Sequence, residues 1–260
     1  DIKVIATLLE GVNDGRKLVA AVQHAARKGK PVVVLKVGRS EYGRKAAQSH
    51  TASITGSAEV NSAVFAQLGV VEVDDIDELI DTAWLFARGM PRQGGALAIY
   101  SGSGGTAALC ADMVGNAGLK LAEFAPETLA VLRDALPSYA AIDNPIDTTT
   151  AVMAKPELAR TCLQAVCNDP SVSLVLLPQA LEYGDITKLA ADITADVQKE
   201  SPVPMLPIWM SERQGGAYKV FADAGLAPVR SISKAVKAVE RWMGYADWRA
   251  RADIDFKPLM

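Results

Sequence analysis

Histidine and cysteine are scarce in this chain, with two and three residues among 260. Cys110, Cys162 and Cys167 are odd in number and lack the spacing of metal ligands. That suits reduced thiols packed in the helices of a cytoplasmic protein better than a disulfide framework or a zinc site. Long apolar runs are missing as well. No segment approaches the ~20 residues of a membrane span, and the opening DIKVIATLLEG lacks the basic n-region of a secretion signal. Neither sign of charge dominates: 27 basic and 30 acidic residues, spread along the chain, leave a net charge of -3. A nucleic-acid or anionic-lipid partner is therefore not expected.

What is present is a globular composition, about half apolar, in which short apolar runs alternate with segments of helical period. This order predicts an α/β architecture built on parallel sheets covered on both faces. Strands are expected at Val4–Leu9, Val32–Val37 and Val70–Val73, with helices at Arg16–Lys28, Ala58–Leu68 and Asp75–Arg88. After GMPRQGG a second set begins with ALAIYS and continues with LKLAEF, SLVLLP, MLPIWM and APVR, a helical segment following each. Those helices are expected at Thr106–Ala117, Pro126–Leu136, Pro156–Cys167, Asp185–Lys199, Ala217–Ala224 and Ser233–Met243. Five strands make a doubly wound unit of flavodoxin type. The expected division is 1–90, 91–246 and a charged exit linker, 247–260. Three parallel strands leave edges exposed, so 1–90 reads as the second half of a flavodoxin-like domain, with its first strand at an open edge or one covered by a neighbouring chain.

The stretch KVGRSEYGRKAAQSHTASITGS, about 20 residues long, reads as a loop at the carboxyl end of a parallel strand, where open α/β sheets place their ligands. It holds His50. An isolated surface histidine is the plain reading of that position. The small residues around it let backbone approach a ligand, however, and Arg39, Arg44 and Lys45 supply cations suited to phosphate. A neutral imidazole with one nitrogen held by an acceptor keeps the other lone pair free for phosphorus. His24 sits near the end of the AAVQHAARKG helix and has no catalytic role.

A second phosphate cue is IYSGSGGTAAL, which places Gly102, Ser103, Gly104, Gly105 and Thr106 between a strand and a helix. Free amides at a positive helix end bind anions; the same residues also serve tight packing. The turn lacks the Walker A lysine, and a flavin site would need an aromatic platform that the sequence does not supply.

Together these residues resemble the NDP-forming acyl-CoA synthetases, including the ADP-forming acetate–CoA ligases, which are related to succinyl-CoA synthetase. LLEG at 8–11, LKVGRS at 35–40, SHTASITGS at 49–57, SGSGGTAAL at 101–109 and NPID at 144–147 carry the resemblance across nearly the whole chain. It implies two succinyl-CoA-synthetase-like domains, with His50 as phosphoryl carrier and Glu10 as the carboxylate that holds its imidazole. It also implies that phosphohistidine is stabilised between two helix N-termini, one of them the Gly102–Thr106 turn, while the Asn144–Asp147 turn is read as structural. The family's Gly is replaced by Ala52 and an acid by Ala58. Acid, CoA, ATP or ADP and magnesium are expected for the whole enzyme, through CoA-binding and ATP-grasp domains not seen in this sequence. No cofactor is assigned to this chain, and self-association is compatible with it. The alternative is a non-catalytic scaffold or regulatory module on the same fold.

Overall fold

The computed structural model describes residues 1–51, 57–92, 94–149 and 155–252, apart from the side chains of 48–51. The chain divides into two compact units, residues 1–93 with 241–260, and residues 94–240.

In the first unit β1 (Ile5–Leu9), β2 (Val32–Lys36) and β3 (Val71–Val73) form a parallel sheet in that spatial order. β2, VVVLK, is buried along its whole length, as a central parallel strand requires, whereas β1 stands at the edge with Ile5 and Leu8 exposed. Three of the crossover helices begin on side-chain caps. Asp14 accepts from Arg16 N and Lys17 N to open α1 (Gly15–Arg27). α2 is Glu41–Thr51. Ser57 accepts from Val60 N at α3 (Ala58–Leu68), and Asp75 from Glu78 N at α4 (Ile76–Arg88). Val22, Ala25, Val34, Phe65 and Leu68 form the core between α1, α3 and the sheet.

α2 corrects the sequence reading, which took 36–57 as a loop throughout. Tyr42 and Gly43 interrupt the apolar pattern, but RKAAQ is made of good helix formers, and the turn Gly38–Ser40 lets the helix start only four residues after β2. Gly38 takes φ +80°, and the Ser40 hydroxyl accepts from Gly43 N in the first turn.

In the second unit β4 (Ala96–Ser101), β5 (Ile146–Asp147), β6 (Val172–Gln179) and β7 (Met205–Trp209) lie in the parallel order β5-β4-β6-β7. The helices are α5 (Gly104–Asn116), α6 (Pro126–Ala135), α7 (Pro156–Asn168), α8 (Asp185–Glu200) and α9 (Gly215–Asp223), followed by α10 (Ile232–Arg251). Cys162, Leu163, Val166, Ile146, Val175 and Met205 lie in the main core.

LKLAEF and APVR, expected as full strands, each make a single parallel bridge, Leu97 with Leu121 and Ile208 with Val229. The first falls short because its place beside β4 is shared. Leu121 lies beside the start of β4, Ile146–Asp147 beside its end, and the Asn144 side chain fills the ladder between them. Asn144 Oδ1 accepts from Ile99 N at 3.0 Å, while Nδ2 donates to Leu97 O at 2.8 Å and Ala122 O at 3.0 Å. An amide side chain thus does what a peptide unit would do. At the other edge Val229 exchanges bonds with Pro207 O and Trp209 N before Arg230 leaves the ladder. Counting these two segments, the order is the 2-1-3-4-5 of flavodoxin-type sheets.

The exit linker is also corrected. Residues 247–251 are helical, the last turn of α10, and 253–260 lie outside the described residues. α10 begins in the second unit and its end packs in the first. Trp242 Nε1 donates to Gly89 O at 2.9 Å, and Tyr245 stands edge-on to Phe86 at 5.3 Å. Trp242 and Tyr245, both buried, and the half-buried Trp248 stand at three-residue steps and form the apolar stripe on which this charged segment continues the helix.

Candidate active site

Glu10 follows β1 directly and is half-buried. Its carbonyl accepts from Lys36 Nζ at 2.9 Å, and the same ammonium donates to Val37 O. Lys36 is 3% exposed at the carboxyl end of β2. Burial pushes its pKa below the ordinary lysine value, against the opposing pull of the Glu72 carboxylate. Lys36 therefore ties together the ends of β1 and β2 from which Glu10 and the α2 segment emerge. His50 belongs to the last turn of α2. Its side chain lies outside the described residues, as do 52–56.

The three cations expected to await phosphate have partners within the unit. Arg39 Nη1 donates to Asp74 Oδ1 at 2.7 Å, Arg44 Nη1 to Arg39 O at 3.3 Å, and Lys45 pairs with Glu41 at 2.9 Å. The hydrogen bond to Asp74 holds the Arg39 guanidinium above its usual pKa. Asp74 also takes Arg241 Nη2 on Oδ2 at 3.1 Å, and the same nitrogen reaches Glu78 Oε2 at 3.0 Å. Glu78 is 2% exposed and accepts from Asp74 N as well, while Arg241 Nε donates to Glu72 O. This network fixes α10 to the carboxyl end of β3 and holds Arg39 at the entrance to α2. Sequence reasoning missed it because its partners stand up to 169 residues apart.

In the second unit the Gly102–Thr106 turn lies where expected, after β4 and across the opening of α5. Ser103 is the N-cap residue, and among the described residues no side-chain capping bond is made there; the amides of a helix's first turn have no partner within the helix and favour an anion. Hydroxyls stiffen the turn. Ser101 Oγ donates to Pro178 O at 3.3 Å, Ser103 N donates to Ser101 Oγ at 3.2 Å, and Thr106 Oγ1 donates to Ser103 Oγ at 3.2 Å.

Beside this turn stands a carboxylate from the Asn144–Asp147 turn, which the sequence reading took as structural. Ser101 and Asp147 are paired in register, and Asp147 Oδ2 lies 2.7 Å from where a Cβ on Gly104 would stand. Asp147 Oδ1 accepts from Thr149 N at 2.9 Å, and Thr149 takes the left-handed φ of 58°, an unfavourable conformation for a β-branched residue. NPID thus does more than turn the chain. Asn144 completes the sheet, and Asp147 puts an acid against the helix opening.

The crevice above the carboxyl ends of β4 and β6 is the point where strand order reverses. Two cavities lie there. One of about 140 Å³ runs from Gly102 and Ser103 to Leu181 and Tyr183. The other, of about 80 Å³, reaches inward between Ser101, Leu163 and Trp209.

Both units match known domains. Residues 1–86 match the succinyl-CoA ligase like flavodoxin domain and residues 97–194 the Ligase-CoA domain. These define a CoA-ligase class of protein. The α subunit of ADP-forming acetate–CoA ligase II of Pyrococcus furiosus is 37% identical over 174 residues, which cover 67% of this chain and 37% of that protein. The α subunit of ligase I of the same organism is 29% identical over 265 residues, covering 96% of this chain and 54% of that protein. An acetyl-coenzyme A synthetase of Ca. Korarchaeum cryptofilum, solved with phosphate and ADP, shares the fold with a TM-score of 0.79 at 24% identity, over 95% of this chain and 54% of its own. The chain belongs to the family of NDP-forming acyl-CoA synthetases to which the ADP-forming acetate–CoA ligases belong. It spans about a third to a half of the length of these relatives.

Proposed function

We propose that this chain is part of an enzyme that interconverts a carboxylic acid, CoA and ATP with acyl-CoA, ADP and phosphate, and that His50 carries the phosphoryl group. The observation that carries the reading is the uncapped opening of α5 at Gly102–Thr106, set at the switch point of a parallel sheet in a unit that matches the Ligase-CoA domain. The residue roles come from the family resemblance and from the chemistry of the side chains. Imidazole attacks the γ-phosphorus of magnesium-bound ATP, and ADP leaves. The acid's carboxylate oxygen then takes the phosphoryl group from nitrogen, giving an acyl phosphate and free His50. Attack of the CoA sulfur on the acyl carbon expels phosphate, and the thiol proton goes to solvent or a base.

Glu10 accepts the second ring N–H, fixes the tautomer and offsets the cation formed during phosphorylation. The α5 amides receive the phosphoryl oxygens, each exposed helix end contributing about 0.3–1 kcal/mol and more where water is excluded. The parts that bind CoA and nucleotide belong to the rest of the enzyme. The division proposed from the sequence, a half-domain with the histidine segment followed by a complete ligase domain, fits this arrangement. The three cysteines are free and buried, and among the described residues no helix is long and apolar enough to cross a membrane. A cytoplasmic enzyme with ready ATP and CoA is the setting we propose.

The test is mass spectrometry of the whole enzyme after incubation with Mg-ATP. An acid-labile phosphoryl group on His50, absent from His50→Ala, is expected. A folded enzyme that binds nucleotide yet leaves His50 unmodified would favour a scaffold on the same fold.

A further inference from the structure

The smaller cavity of the second unit has a composition that selects its occupant. Its volume is about 80 Å³, and among the described residues no charged one lines it. The polar groups in its wall are bonded within the protein. Thr148 Oγ1 donates to Ser101 O, Thr194 Oγ1 to Ala190 O, Trp209 Nε1 to Arg213 O and Tyr100 Oη to Ala159 O. Water needs two to four polar partners to settle in a cavity, and these donors are already engaged. Gln179 and Thr187 also line it, their Nε2 and Oγ1 donating to Leu181 O and Gly184 O; the larger apolar groups of the wall are Leu163, Leu177, Ile193 and Phe221, with Tyr100 and Trp209. Ser101 and Gly102 belong both to this wall and to the turn that opens α5.

We infer that this chamber receives the hydrocarbon part of the acid substrate and limits the acid to short aliphatic ones of about two to four carbons, the carboxyl carbon included. The inference rests on the ligase reading and adds the substrate class to it. A dry cavity of about 150 Å³ holds benzene, so a chamber about half that size excludes an aryl ring. Shared residues place the chamber behind the turn, so a carboxylate or acyl phosphate at the α5 amides has its chain directed inward. Each buried methylene strengthens binding by about fourfold.

The experiment is an NMR titration of the ¹⁵N-labelled chain with acetate, propionate, isobutyrate and benzoate, following the Trp209 indole N–H. Isopropanol serves as an uncharged probe. Expected are saturable shifts at Trp209 that tighten about fourfold per methylene up to isobutyrate, a shift of the same signal with isopropanol, and none with benzoate. Ala190→Leu and Ala159→Leu fill the chamber from two helices, and either variant, with an unchanged or higher melting temperature, should weaken isobutyrate at least tenfold. Benzoate binding as tightly as isobutyrate, or a Trp209 signal that no acid moves in the folded chain, would overturn the inference.

The phosphorylation assay separates the two ideas. Graded binding at Trp209 without phosphate on His50 keeps the chamber and removes the ligase. Phosphate on His50 with a silent Trp209 removes only the chamber.

Discussion

Asp147 and Gly104 stand against each other at the opening of α5, the Asp147 carboxylate filling the space that any other side chain at position 104 would need. The glycine is thus required by a neighbour and not by its backbone angles. Gly104→Ala puts a methyl group 2.7 Å from Asp147 Oδ2. A short side chain bonded to Thr149 N cannot swing aside without losing that bond. The expected loss is about 1–3 kcal/mol, the usual cost of overpacking, read from urea unfolding of the two proteins. Asp147→Ala in the same background should recover part of it, because the clash then has no second partner.

Arg241 provides the matching test in the first unit. Its guanidinium pairs with the Glu78 carboxylate, which is 2% exposed. Removing one member of a fully buried ion pair costs about 3–5 kcal/mol. Arg241→Ala should come near the lower end, since Asp74 N still donates to Glu78. The double variant Arg241→Met with Glu78→Gln should be less destabilised than Arg241→Ala alone. Denaturant midpoints of the three variants decide this. Equal losses would mean that Glu78 does not depend on Arg241.

Gly69 is required for both reasons at once. It closes α3 in the left-handed region at φ +71°, and a Cβ there would lie 2.4 Å from the Trp248 indole ring. Gly69→Ala should cost about 1 kcal/mol for the backbone alone, plus whatever displacing the ring requires. Trp248→Ala also weakens the protein, but combined with Gly69→Ala the two losses should sum to more than the double variant shows. A thermal-melt double-mutant cycle measures that coupling. Additive losses would place the ring away from Gly69.

The architecture was legible because burial has a period. VVVLK and SLVLLP are continuous apolar runs that only a sheet covered on both faces accommodates. The Gly102–Thr106 turn was legible for a local reason, since strand end, glycines and helix start are consecutive. Hidden from a linear reading were features set by distant partners. The second edge of β4 is assembled from Leu121, Asn144 and Ile146, and no one of those segments announces it. The Lys36 ammonium looks like a solvent group at the end of a strand, yet it is buried and ties Glu10 O to Val37 O. Asp147 reaches Gly104 only because β5 pairs with β4 in one register. The end of α10 was misread because in 247–251 the charged Asp247, Arg249 and Arg251 outnumber the one aromatic, Trp248, that continues the stripe of Trp242 and Tyr245.

Asp169 should dominate the acid response of the second unit. It is 1% exposed, and burial by itself would raise its pKa. Hydrogen bonds oppose that and win. The Ser171 hydroxyl and N–H donate to Oδ1 at 2.6 and 2.9 Å, and Ala125 N donates to Oδ2 at 2.8 Å, so the pKa falls below the ordinary aspartate value. A carboxyl group lowered on folding contributes stability above its unfolded pKa of about 3.9 and loses that contribution as the pH falls through the lower folded value. Asp169→Asn keeps the shape but cannot accept on both sides, so it should be weaker at pH 7 by about 1–3 kcal/mol. The gap should narrow as the pH falls below about 4, the unfolded value, and vanish once the native carboxyl is protonated as well. Stability measured by urea unfolding along that pH series tests the assignment. A gap that does not narrow as the pH falls below about 4 would mean that the ionised form of Asp169 is not what joins the start of α6 to the turn before β6.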